Sequence, residues 1–193
     1  QTGSLPIYGL LRVTVLDVGG CGAVLVQSPS GRAVLIDSGP SPVALAEALG
    51  RRLPLHASAV DALVITGSPS ETCAGLQDLE GRYPIALALV PMEIHAAGCR
   101  AAEAVLVASG TRFIRAVSGM ALDLGAGARL EVVSSDPGLV LTLVHGRARF
   151  LLPLGATPEL VNALMRSGDL APAQVLVLAD SGYAAVNPSE LFE

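Results

Sequence analysis

Apolar residues run along this chain in short bursts, separated by turns rich in Gly, Pro and Ser. Leu10 to Asp17, Ala23 to Gln27 and Ala33 to Asp37 read as strands, and Ser28-Pro-Ser-Gly31 supplies the turn dihedrals that join the last two as a hairpin. A helix is predicted over Pro42–Arg52, a buried strand over Ala62–Thr66 and a second helix from Pro69 to about Tyr83. Ile85 to Val90, set between Pro84 and Pro91, reads as a strand again, and Ala101 to Ser109 as a helix. Strands are then expected at Arg112–Ala116, Arg129–Ser134, Val140–His145 and Arg147–Leu152, with His145-Gly146 at a tight turn. Helix Pro158–Arg166, strand Val175–Ala179 and a terminal helix starting at Pro188 complete the pattern.

Four helix starts are written with the same grammar: Ser41-Pro42, Ser68-Pro69, Thr157-Pro158 and Asn187-Pro188. The first residue can accept a hydrogen bond from an orphan backbone N–H, and Pro at the next position loses no needed donor. Ser68 with Glu71 and Asn187 with Glu190 have capping-box spacing or its Asn equivalent. A hairpin region combined with strand–helix alternation predicts a layered α/β (α+β) domain.

Composition narrows this picture. At 193 residues the chain fits one domain, taken as 5–193, with residues 1–4 a polar linker or cloning remnant. It begins at Gln1, so a piece of something longer, or a processed chain, is expected. Hydrophobic residues make up 51% and mean hydropathy is +0.58, yet no apolar run reaches the roughly 18–20 residues of a membrane helix. Strands buried on both faces account for such a balance. The net charge is −5 and all twelve basic residues are Arg, which argues against a general nucleic-acid binder. Arg147 and Arg149 have strand spacing and would share one solvated face. Cys21, Cys73 and Cys99 form no CxxC pair, so neither a zinc knuckle nor a disulfide framework is indicated, and buried free thiols are expected.

Three strand ends carry a family resemblance: Leu16-Asp-Val-Gly-Gly-Cys-Gly-Ala-Val-Leu-Val26, Val34-Leu-Ile-Asp-Ser-Gly-Pro40, and Asp61-Ala-Leu-Val-Ile-Thr66 running into a helix. Weaker landmarks follow at Phe150-Leu-Leu-Pro-Leu-Gly155 and Val175-Leu-Val-Leu-Ala-Asp-Ser-Gly182. In order and spacing the series resembles the metallo-β-lactamase-fold domain at the C-terminal end of ComEC-type competence proteins, from about Leu10 onward. The resemblance implies an αββα sandwich. Because Glu193 comes just after a helix start, truncation at the C-terminus is a further expectation.

The same resemblance implies a metal cluster, His-x-His-x-Asp-His, at the turn after the third strand. Closely spaced imidazoles and a carboxylate can converge there on zinc or manganese, which lowers the pKa of bound water to make a nucleophile. Here the turn is Gly67-Ser-Pro-Ser-Glu-Thr72: Gly67 and Pro69 stand for the first two histidines, and Glu71-Thr72 for the Asp-His pair. The bridging Asp of a "TGD" strand end falls on Gly155, and a His-His-Gly-Ser turn on Asp180-Ser-Gly-Tyr183. Asp37 is retained, implied to support the ligands, with a turn carboxylate bonding backbone N–H groups before Gly39-Pro40 as its structural alternative. The expectation is therefore a vestigial site of Asp37, Gly67, Pro69, Glu71, Thr72, Gly155 and Asp180, with no catalytic residue, no metal and no small-molecule cofactor.

Other chemistry has little to stand on. His56, His95 and His145 have no ligand-like spacing to one another or to Cys and carboxylates, and there is no G-x-S-x-G elbow for a Ser nucleophile. The expected function is a non-catalytic scaffold or binding module of a DNA-uptake membrane protein. It would be tethered to a bacterial cell membrane on a side the sequence leaves open. Its partners would be the channel region of the same protein and, with less support, single-stranded DNA. The alternative is a metal-dependent phosphodiesterase or nuclease using Glu71, Asp37 and Asp180 as unusual ligands.

Overall fold

Nearly every residue of the central strands is apolar, so each strand must be covered on both faces, and the layers follow from that need. The structure is a computed structural model that describes residues 9–19, 22–53, 59–67, 73–77, 79, 81–94 and 97–192. The first sheet contains β1 (Arg12–Leu16), β2 (Ala23–Gln27), β3 (Ala33–Ile36), β4 (Val60–Val64), β5 (Ile85–Val90) and β6 (Arg112–Arg115), in chain order. β1 to β3 form an antiparallel meander, and β3 to β6 are parallel. The second sheet holds β7 (Ala121–Gly125), β8 (Ala128–Ser134), β9 (Val140–His145), β10 (Ala148–Leu152) and β11 (Val175–Leu176) in the order β11-β10-β9-β8-β7.

Side chains alternate between the two faces of a strand, and the burial pattern obeys this. Leu25, Leu35 and Leu63 lie in one cluster with Leu45 and Leu49 of α1 (Pro42–Arg52) and Leu106 of α2 (Ala97–Ala108). Their strand neighbours Val24, Val34, Ile36 and Val64 face inward and pack with Leu130, Leu141 and Leu143 of the second sheet. A third cluster joins Val140 and Leu151 to Val161 and Leu164 of α3 (Pro158–Ser167) on the outer face. The result is helix, sheet, sheet, helix. Each fully buried Leu adds about 2 kcal/mol by leaving water.

Two of the four predicted caps are formed: Ser41 Oγ accepts from Ala44 N at 3.2 Å, and Thr157 Oγ1 from Leu160 N at 3.3 Å. Ser68, with its capping-box partner Glu71, lies outside the described residues. Asn187 caps nothing of the kind. Its Nδ2 donates to the carbonyls of Ala179 and Tyr183 and its Oδ1 accepts from Ala179 N, which closes the 179–187 loop. Residues 189–192 then form only a short 3₁₀ turn, since the would-be cap is spent elsewhere.

Other expectations need correction. No α-helix occupies the described part of Pro69–Tyr83; there is only a 3₁₀ turn at Ala74–Leu76. Cys73 has left-handed φ, and Gly75 is pressed so closely under Ser38 O that a helix with side chains has no room. α2 begins four residues before Ala101, and the strand predicted over Val175–Ala179 keeps ladder pairing only at Val175–Leu176. Arg147 sits in the β9–β10 turn, so it does not share a strand face with Arg149. β7 is an additional strand, whose short, half-exposed alternation gives little signal in the sequence. The cysteines are the largest correction: Cys73 and Cys99 are joined by a disulfide, with Cα atoms 4.9 Å apart. Their 26-residue separation carries no spacing signature, and the odd count hid the pair.

Candidate functional site

Parallel strands deliver their C-terminal ends to one edge, and that edge is where the expected site residues gather. Asp37 directly follows β3 and Thr66-Gly67 come just after β4, while β10 leads into Pro153–Gly155 and the parallel β11 is followed four residues on by Asp180. Asp37, Gly67, Gly155 and Asp180 thus share one rim of the sandwich. Pro69, Glu71 and Thr72 lie outside the described residues, as do His56 and His95. His145 ends β9 opposite Ala128 and Ala148, at a hairpin turn as expected.

Asp37 is buried, and both of its oxygens serve the next strand. Oδ1 accepts from Thr66 N at 2.8 Å and Oδ2 from Thr66 Oγ1 at 2.6 Å. These bonds cross from the residue after β3 to Thr66, two residues past β4. A hydrogen bond to a charged group is worth about 1.5–3 kcal/mol, so Asp37 fixes where β4 ends. Its own backbone has φ +55, and Cys73 (φ +50) and Asp180 (φ +45) share that left-handed conformation. Among described non-glycine residues only Ala126, in the β7–β8 hairpin, also has positive φ. Non-glycine residues in this region are strained, and such strain collects at ligand-holding turns.

Beside Thr66 the chain after β4 meets the second sheet backbone to backbone. Leu139 N donates to Thr66 O at 2.7 Å, and Gly155 N to Leu139 O at 3.0 Å. A Cβ on Gly155 would stand 2.3 Å from Thr66 O and 2.6 Å from Leu139 N; one on Gly138 would stand 2.1 Å from Gly155 O. The position that the resemblance gives to a bridging carboxylate therefore has no room for any side chain. Gly67 faces the Pro91 ring, with 3.0 Å to a notional Cβ. Asp180 is exposed, in a 3₁₀ turn after Ala179. Among the described residues, no group of three or more His, Cys, Asp and Glu side chains could hold a metal ion. Of the positions that the resemblance gives to ligands, the described ones offer only the Asp180 carboxylate, since Gly67 and Gly155 have no side chain.

No protein-family model matches the chain, and no curated protein matches it in sequence. Solved structures do resemble it. The metallo-β-lactamase fold protein YhfI from Bacillus subtilis superposes with a TM-score of 0.61 at 15% identity, over 87% of this chain and 70% of YhfI. A HARLDQ-motif metallo-β-lactamase of Cronobacter sakazakii gives a TM-score of 0.60 at 15% identity, over 87% of this chain and 70% of its own. A diphosphatase from the PhnP family gives 0.51 at 21% identity, over 81% of this chain and 58% of that protein. The chain has the metallo-β-lactamase fold.

Proposed function

We propose that this chain is a metallo-β-lactamase-fold domain without metal chemistry, serving as a scaffold or binding module of a ComEC-type DNA-uptake membrane protein. The observation that carries the non-catalytic reading is the seam at Gly155, where main-chain atoms of Thr66 and Leu139 fill the space a bridging carboxylate needs. Asp37, retained at its strand end, is bonded to Thr66 through both oxygens. The competence-protein assignment rests on the ordered sequence landmarks from Leu16 to Gly182. No described helix is long and apolar enough to cross a membrane, so the reading assigns the tether to other parts of that protein. A disulfide between two buried cysteines supports the oxidising, outer side of the membrane. The channel region is the first partner; a net charge of −5 counts against strong binding of single-stranded DNA.

A second reading, a metal-dependent phosphodiesterase or nuclease with atypical ligands, draws on the fold likeness to a PhnP-family diphosphatase and on Asp180 at the exposed rim. One experiment separates the two. Hydrolysis of bis(p-nitrophenyl) phosphate and of single-stranded DNA is measured with added manganese and zinc, on the natural sequence and on Asp180→Ala. The scaffold reading expects rates equal to buffer for both proteins. Turnover that Asp180→Ala abolishes would establish the hydrolase instead.

A further inference from the structure

We propose that the Cys73–Cys99 disulfide supplies the cross-link that metal ligands supply in a metal-holding version of this turn, fixing the chain that leaves β4 against α2. The inference rests on the reading that the ligands are lost. A metal held by side chains from several segments ties those segments together as well as doing chemistry, so its loss leaves a turn in need of another tie. Cys73 directly follows Thr72, the last position of the turn that corresponds to the ligand cluster. Its sulfur reaches Cys99 in the first turn of α2, and both side chains are buried, at 2% and 1% exposure.

The described part of the segment buries Cys73 and Leu76 in the core beside Leu45 and Leu49 of α1 and Cys99 of α2. Its regular structure is one 3₁₀ turn, with Leu76 N donating to Cys73 O and Gln77 N to Ala74 O. Gly75 N donates to Gly39 O at 2.8 Å, and the absence of a Cβ lets it lie directly under Ser38 O. The disulfide therefore clamps Gly75 onto the β3 turn that carries Asp37, while its other end is anchored in a twelve-residue helix. It closes a span of 26 residues that contains β5. The covalent bond thus joins the residue after the ligand-like turn to α2, and the Gly75–Gly39 hydrogen bond carries that restraint to the β3 turn.

Hydrogen–deuterium exchange on the full chain tests this, comparing the oxidised protein, the protein reduced with a phosphine, and the double variant Cys73→Ser/Cys99→Ser, with Cys21→Ser as a thiol control. Amides of Gly75, Leu76 and Gln77 should exchange at least about tenfold faster without the disulfide, while those of Leu139 and Gly155 keep their rates. Unchanged protection at 73–77 overturns the proposal, and so does a loss that spreads equally to Leu139 and Gly155. Metal content is measured on the same oxidised sample. Stoichiometric zinc or manganese removes the lost-ligand reading and the proposal with it; no metal with unchanged exchange removes the proposal alone.

Discussion

The two ends of the sandwich are laced together in different ways. At the far end the β2–β3 and β7–β8 turns meet through side chains: Ser30 Oγ donates to Leu124 O at 2.6 Å, and Arg32 Nη1 to Asp123 O at 2.8 Å. These contacts are partly exposed, and water competes for them. At the site end the ties are buried main-chain hydrogen bonds, close-packed glycines, the Asp37–Thr66 pair and a disulfide. At this end the Asp37 carboxylate and the space beside Gly155 are taken up by structure.

Substitutions can break that contrast, beginning with the largest effect. Cys73→Ser/Cys99→Ser should lose about 3.5 kcal/mol in urea unfolding, the entropy of closing a 26-residue loop. Gly155→Ala should lose about 3 kcal/mol, because its methyl group collides with backbone that cannot swing aside. Gly155→Asp, which puts a carboxylate where the resemblance implies one, should lose at least as much and show no gain in zinc affinity by calorimetry. Asp37→Asn should lose about 2 kcal/mol, since the Thr66 donors exchange a charged acceptor for a neutral one. At the far end Ser30→Ala should cost about 1 kcal/mol in the same titration. Asp180→Ala, at an exposed position, should stay within about 0.5 kcal/mol. If Ser30→Ala exceeds Gly155→Ala, the contrast between the ends is wrong.

Much of the scaffold was legible in the residues. Apolar runs bounded by Pro and Gly located the main strands, and Ser41-Pro42 and Thr157-Pro158 located two helix starts, because these signals are local. The order of the glycine-ended strands also anticipated that Asp37 and Gly155 both meet Thr66 where β4 ends. What escaped was set by distant partners. Nothing near Cys73 points to Cys99, and Asn187-Pro188 reads as a cap until Ala179 is seen to compete for the same amide. Gly155 appeared only as a missing carboxylate. That its hydrogen is required by Thr66 and Leu139 is a fact of packing, which spacing along the chain does not encode.

The central claim is that the strand ends no longer hold a cation. Its most direct test is equilibrium dialysis of the oxidised protein against zinc and against manganese, followed by elemental analysis per chain. The account predicts no stoichiometric metal in either case. One or more tightly held ions per chain, lost on substituting residues of this rim, would contradict it.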